Sequence, residues 1–177
     1  MMELKNEMNT EEVAVQYDKG SIESLINDLS SNNGIARVRA RQALVTIGGG
    51  TVAALSNALE GQNEEQRWEA AKALGQIGDP AAVGVLVKTL EDKIFDLRWL
   101  AAEGLITIGK PSIVPLLHRL LEHSDSVWIR EGAHHVFHDL HDQNLKAILR
   151  PILDALEDTE KQIELPFATE AALKSLE

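Results

Sequence analysis

All six histidines of this 177-residue chain lie between His118 and His141, and four of them fall in the stretch REGAHHVFHDLHD. On one helix, His134, His138 and His141 would share a face at spacings of four and three, with Glu131 three residues ahead. Imidazoles on adjacent turns point the same way, so a pair of them beside a carboxylate can hold a divalent metal ion. The same helical spacing places this face on the side of the helix that points away from the core. The cluster therefore predicts either a polar surface face or a metal site at Glu131, His134, His138 and His141.

The three tryptophans form a second candidate site. Trp68 and Trp99 lie about 160° around a helix from the apolar line through Leu74, which places them outside the central core. With Trp128, they are expected to form a column along one outer edge, and aromatics gathered on a surface often mark a binding hot spot. The alternative is that each ring packs across the gap to the next helix pair.

Other catalytic chemistry has no matching pattern in the sequence. The chain has no cysteine, which excludes disulfides, thiolate metal sites and cysteine nucleophiles. It contains no P-loop, no GxSxG elbow and no HExxH motif, and its carboxylates form no paired arrangement. We therefore expect a non-enzymatic protein without catalytic residues, and no cofactor other than the metal ion that the histidine cluster could hold.

An internal repeat carries the candidate residues. The segment RWEAAKALGQIG of residues 67–78 returns as RWLAAEGLITIG at 98–109, and RVRARQALVTIG occupies 37–48. A period of about 30 residues with two helical stretches predicts a stacked array in which each unit buries its apolar face against its neighbours. The expected fold is all-α, a right-handed α-α superhelix of about four to five helix pairs.

Each unit has the same apolar and turn residues. The first helices place Ala70, Ala71 and Leu74 toward the core, and the equivalent positions recur one unit later. The second helices align as Val52, Leu55 and Leu59; Val83, Leu86 and Leu90; Ile113, Leu116 and Leu120. Gly48, Gly78 and Gly109 are expected to end the first helices in a left-handed conformation, and Pro80 and Pro111 to begin the second ones.

These signals predict the domain organisation. Residues 1–20 are a polar tail or cap, residues 21–158 the repeat domain, and residues 159–177 a C-terminal capping helix. The units lie near 21–33, 34–62, 63–93, 94–123 and 124–158. The string PILDAL copies PLLHRL 36 residues later, which predicts an insertion near residues 140–145.

Charge and hydropathy narrow the function classes. Twenty-eight acidic residues against seventeen basic ones give a net charge of −11, which disfavours nucleic-acid binding. The chain has no apolar run long enough for a membrane span or a signal peptide. We expect a cytoplasmic protein whose partner is another protein.

The repeat strings RWEAAKALGQIGDPAAVGVLVKTLED and RWLAAEGLITIGKPSIVPLLHRLLEH resemble the short HEAT-like repeats named after phycobilisome lyases, over roughly residues 21–158. Similar proteins include bilin lyase subunits and adaptors, so the resemblance implies binding more often than catalysis. In similar arrays, the position of Arg37, Arg67 and Arg98 supplies a ladder of arginine–carboxylate bonds that fixes the stacking, here with Asp96 near the third arginine. Capture of a ligand by these arginines is the alternative.

The combined interpretation is a scaffold or adaptor that binds another protein. The partner would contact either the edge that carries the tryptophans and histidines or the outward face of the second helices. On that second face the candidates are Lys88, His118 and Arg119, whose mixed charge suits patterned polar contacts. A bilin lyase-like enzyme subunit is the alternative suggested by the repeat type, and a metal-binding repeat protein is a further one.

Overall fold

The structure, a computed structural model, describes residues 19–176. The predicted tail or cap at residues 1–20 therefore lies almost entirely outside the described residues. Within them the chain is α-helical with short 3-10 turns and has no strand. The first helices of the repeats are α2 (Gly34–Ile47), α4 (Glu64–Ile77), α6 (Phe95–Ile108) and α8 (Val127–Asp139). The others are α1 (Lys19–Asp28), α3 (Val52–Leu59), α5 (Val83–Thr89), α7 (Ile113–Glu122), α9 (Gln143–Glu157) and α10 (Leu165–Leu176).

The helices stack as repeated pairs. Helices α2, α4, α6 and α8 pack successively in one row, and each second helix also packs against the first helix of the following pair. This arrangement confirms the predicted fold class, an all-α HEAT-like solenoid. It brings equivalent positions of α6 and α8 side by side, which is what positions the candidate site.

The core consists of the predicted apolar columns. Leu44, Leu74 and Leu105 occupy the same position in three consecutive units and are completely buried. The leucine columns of the second helices are buried as well. Each such leucine stabilises the fold by about 1.5–3 kcal/mol relative to an exposed one, so the shared columns hold neighbouring units together.

Glycine ends the first helices as predicted. Gly48, Gly78 and Gly109 have φ of 75°, 67° and 74°, a region that side chains with a Cβ rarely adopt. The predicted start of the second helices needs a correction. Pro80 and Pro111 lie in 3-10 turns, Pro80–Ala82 and Lys110–Ser112, and the α-helices begin after them.

The structure has extra residues close to the predicted insertion. They follow α8 at residues 140–142 and lengthen α9 at its amino end. Asp142 caps that end by accepting hydrogen bonds from the amides of Asn144 (2.9 Å) and Leu145 (3.2 Å). Pro151 therefore lies inside α9, where it is exposed and has no backbone N–H to donate to the carbonyl of Ala147.

Helix α10 packs against α7 and α9. Its buried side chains, which include Leu165 and Leu173, cover apolar surface of these second helices. Its charged residues face outward, whereas Thr169 is buried and donates a hydrogen bond to the carbonyl of Leu165 (2.7 Å).

Candidate functional site

A recess of about 140 Å³ lies between α6 and α8. We call it the aromatic recess, and it is lined by Phe95, Arg98, Trp99, Ala102, Trp128, Glu131, Gly132 and His135. The side chains of Phe95, Trp99 and Trp128 are 62%, 48% and 41% exposed. Large apolar side chains are rarely exposed together on a monomeric protein unless they contact something.

Polar groups hold the rings in place. The guanidinium of Arg98 lies 4.8 Å from the centre of the Trp128 ring and 5.5 Å from that of Phe95. The rings of Trp99 and His135 are 4.4 Å apart, and His135 Nε2 is 2.9 Å from a carboxylate oxygen of Glu103 on α6. These contacts tie α8 to α6, so the recess has a defined shape before anything binds.

The size of the aromatic recess limits what it can hold. Small-molecule and cofactor sites commonly have volumes of about 300–1,000 Å³, whereas this recess suits a single side chain. A larger, open groove of about 860 Å³ lies between α1 and α3. It is lined mainly by small and apolar residues such as Ile22, Ile26, Ala53 and Ala54.

The structure brings two of the three predicted tryptophans together. Trp99 and Trp128 line the aromatic recess, but Trp68 lies in a separate recess with Arg37, Glu64, Glu65 and Glu69. The ring of Trp68 is half-buried, and Lys72 Nζ lies 4.6 Å from its centre. The three rings thus do not form one continuous binding surface.

The histidines of α8 contact carboxylates in the structure and do not gather around one point. His134 Nε2 lies 3.2 Å from a Glu157 oxygen, and His138 Nδ1 lies 2.7 Å from an Asp139 oxygen. The hydrogen bond from His138 is the main reason why the pKa of Asp139 is lowered; desolvation opposes it, and the charges of His135, His138 and Lys146 lower this pKa further. His141 lies beyond the carboxyl end of α8, so it does not share the helical face as predicted.

The predicted metal set does not converge. Among residues 19–176, no three histidine, aspartate or glutamate side chains are grouped closely enough to hold a metal ion. The predicted ligands were Glu131, His134, His138 and His141, and the first of these lines the aromatic recess instead. The physical reason is that the imidazoles contact different carboxylates: His134 contacts Glu157 on α9, and His138 contacts Asp139 on its own helix.

All three arginines of the column donate to backbone carbonyls, a contact that the sequence did not predict. Arg37 and Arg98 donate to the backbone carbonyls of Ser31 (2.7 Å) and Asp92 (2.8 Å), and Arg67 donates to that of Leu59 (2.8 Å). Each carbonyl lies at or just after the end of the preceding second helix, where intrahelical donors are lacking.

Only part of this column has carboxylate partners. Arg67 pairs with Asp92, and Arg37 lies 3.6 Å from Glu69. Among the described residues, Arg98 has no ion pair, and Asp96 is not its partner as the sequence suggested. The guanidinium of Arg98 rests on the Trp128 ring in its place.

Two of the predicted binding residues on the second helices belong to a ladder that the sequence reasoning missed. Lys88 Nζ lies 2.5 Å from a Glu60 oxygen. The equivalent residues one repeat later, Arg119 and Glu91, also form a pair. The sequence does contain a signal for this ladder, because its two acidic residues are 31 positions apart and so are its two basic residues. His118 is exposed beside this ladder.

Comparison with known proteins agrees with the fold. The family model for HEAT repeats matches residues 22–105, and no curated protein matches the chain. Together with the stacked helix pairs, this match supports a HEAT-like repeat protein. Proteins with such repeats are commonly interaction scaffolds.

No helix within residues 19–176 combines the length and apolar character that crossing a membrane requires.

Proposed function

We propose that this protein is a non-enzymatic scaffold or adaptor that binds another protein through the aromatic recess. The observation that supports this best is the exposure of Phe95, Trp99 and Trp128 around a recess of about 140 Å³. Interface hot spots are enriched in tryptophan and lie in well-packed pockets that hold one side chain of the partner.

The second-helix face supports a protein partner less well. Lys88 and Arg119 already pair with Glu60 and Glu91, so a partner would have to displace these bonds. The finer resemblance, to phycobilisome-lyase repeats, is supported by the repeat sequences alone. No geometry among the described residues favours a bilin lyase-like activity over binding.

Affinity capture from the native host tests the proposed function. The wild-type protein is compared with a Trp99→Ala/Trp128→Ala variant and with Phe167→Ala, which removes an exposed aromatic ring from α10, away from the aromatic recess. Captured proteins are identified and their affinities then measured directly with purified components. We expect the double variant to weaken binding by about thirtyfold or more, which corresponds to a hot-spot loss of about 2 kcal/mol.

The control variant should bind like the wild type, and circular dichroism should show that all three proteins are folded. Equal affinity of the wild type and the double variant for every captured protein would contradict the proposed function.

A further inference from the structure

The repeat alignment shows what is missing from the aromatic recess. Glu131 lies two periods of 31 residues after Glu69, and Ala102 occupies the position that Arg41 has two units earlier. Between α2 and α4, Arg41 fills the junction and pairs with Glu69, which is only 4% exposed. Between α6 and α8, the equivalent residue is an alanine, which cannot reach across.

Because this junction has alanine in place of arginine, it contains unfilled space and a carboxylate without a counter-charge. Ala102 lines the aromatic recess, and Glu131 borders it as an exposed carboxylate. In the described part of the chain, Glu131 forms no ion pair. Arg98, which also lines the recess, does not pair with Glu131. It stacks on Trp128 and donates to the Asp92 carbonyl.

The surroundings of the recess favour a cation from outside. Asp96 and Asp125, which are near the lining residues Phe95 and Trp128 in sequence, are exposed and, like Glu131, have no ion pair among residues 19–176. Of the basic residues near the recess in sequence, Arg98 is held as described, Arg130 donates to the side-chain oxygen of Gln162 (3.1 Å), and Lys93 is exposed in the loop before α6. The whole chain carries a net charge of −11, which attracts basic segments and opposes self-association.

We propose that an arginine side chain from a basic segment of the partner protein enters the aromatic recess and pairs with Glu131, as Arg41 pairs with Glu69. This inference rests on the proposed function. The planar guanidinium stacks on tryptophan rings and forms two parallel hydrogen bonds to a carboxylate, and its aliphatic stem contacts apolar walls. The volume of the recess suits one such side chain.

The test uses three synthetic peptides that differ at one position. The frame is Ser-Lys-Leu-Xaa-Leu-Lys-Ser, in which Xaa is arginine, citrulline or glutamate; citrulline has nearly the shape of arginine but no charge. Binding is followed by NMR through the indole N–H signals of Trp99 and Trp128, which detects dissociation constants up to about 10 mM. Each peptide is titrated at low and at physiological salt.

We expect the arginine peptide to shift both indole signals and to bind at least about fivefold more tightly than the citrulline peptide, with a larger difference at low salt. Glu131→Gln should remove most of this preference. Glu122→Gln, which removes an exposed carboxylate at the end of α7, should leave it unchanged. Ala102→Arg should abolish binding because the new side chain fills the recess.

Several results would overturn the inference. Equal binding of the arginine and citrulline peptides at the two tryptophans would show a neutral anchor and leave the proposed function standing. An unchanged preference in Glu131→Gln, or no indole shift with the arginine peptide at about 10 mM, would also contradict it. Concentration-dependent indole shifts without peptide would identify a second copy of this chain as the occupant.

Discussion

At the scale of single residues, two equivalent helix junctions differ at one position. The junction that has arginine there is closed, and the junction that has alanine is open. Arg41 and Glu69 are both almost fully buried between α2 and α4. Charges removed from water are tolerated there only because each neutralises the other. At the α6–α8 junction, the same position is Ala102 and the acid is exposed. A structural pair in one unit thus corresponds to a candidate binding feature two units later.

The buried pair leads to a prediction about stability. Glu69→Gln leaves the guanidinium of Arg41 buried without a counter-charge and should lower the free energy of unfolding by about 3–5 kcal/mol. Arg37, at 3.6 Å, has an accessible side chain and a backbone acceptor, so it does not need Glu69. Urea denaturation measures the change.

Two further variants make this prediction specific. Arg41→Leu combined with Glu69→Met should recover most or all of the stability, since replacing both charges with apolar groups of similar volume is often neutral or favourable. Glu60→Gln breaks the exposed pair with Lys88 and should cost less than about 1 kcal/mol. A Glu69→Gln cost no larger than that of Glu60→Gln would show that the buried pair contributes little.

At the scale of helices, the closest approach of two first helices depends on glycine. A Cβ placed on Gly104 would lie 3.3 Å from the Cα of Gly75 on α4 and 3.0 Å from a methyl of Leu86 on α5. Two backbones would have to separate to admit it. We therefore expect Gly104→Ala to destabilise the protein by about 1–3 kcal/mol, although alanine favours helix by about 1 kcal/mol.

Gly84 provides the matched control for this prediction. It lies on α5, is exposed, and a Cβ there would contact nothing within 4 Å. Gly84→Ala should stabilise the protein by up to about 1 kcal/mol. Thermal and urea unfolding of both variants give the comparison, and a stabilising effect of Gly104→Ala would mean that α4 and α6 can move apart without loss.

The sequence predicted the elements well where local chemistry determines them. The apolar columns and the three glycines at helix ends follow from period and backbone conformation, and both are confirmed. The length of α9 was not predictable in this way, because the alignment of PILDAL with PLLHRL indicates extra residues near 140–145 but not that they extend a helix. The contact of α10 with α7 and α9 is a long-range packing choice that no local pattern encodes.

The candidate site was less predictable because it, too, depends on long-range packing. The sequence singled out Trp99 and Trp128 as surface residues, but their meeting in one recess depends on which side chain is absent between them. The role of Ala102 is visible only when the register of α6 against α8 is known. The same holds for Arg98, whose guanidinium lies on the ring of Trp128 from the neighbouring helix α8.

At the scale of the whole molecule, stability should depend on position along the stack. Each helix pair contacts mainly its neighbours, so the free energy of the array is close to a sum over units and their junctions. A defect at one end should therefore open that end without unfolding the other. The carboxyl end is the place to test this, because α10 covers α7 and α9 there.

Leu173→Ala, at a residue that is 7% exposed on α10, should cost about 2–3 kcal/mol by leaving a cavity against the second helices. Because α10 contacts α7 and α9, hydrogen exchange should accelerate in these three helices, while α2 and α3 keep wild-type protection. Phe167→Ala, at a residue that is 72% exposed on the same helix, should change neither region. If protection fell equally in α2 and α9, the molecule would unfold as one cooperative unit, and a partner bound at the aromatic recess would then stabilise the whole chain and not only the units beside it.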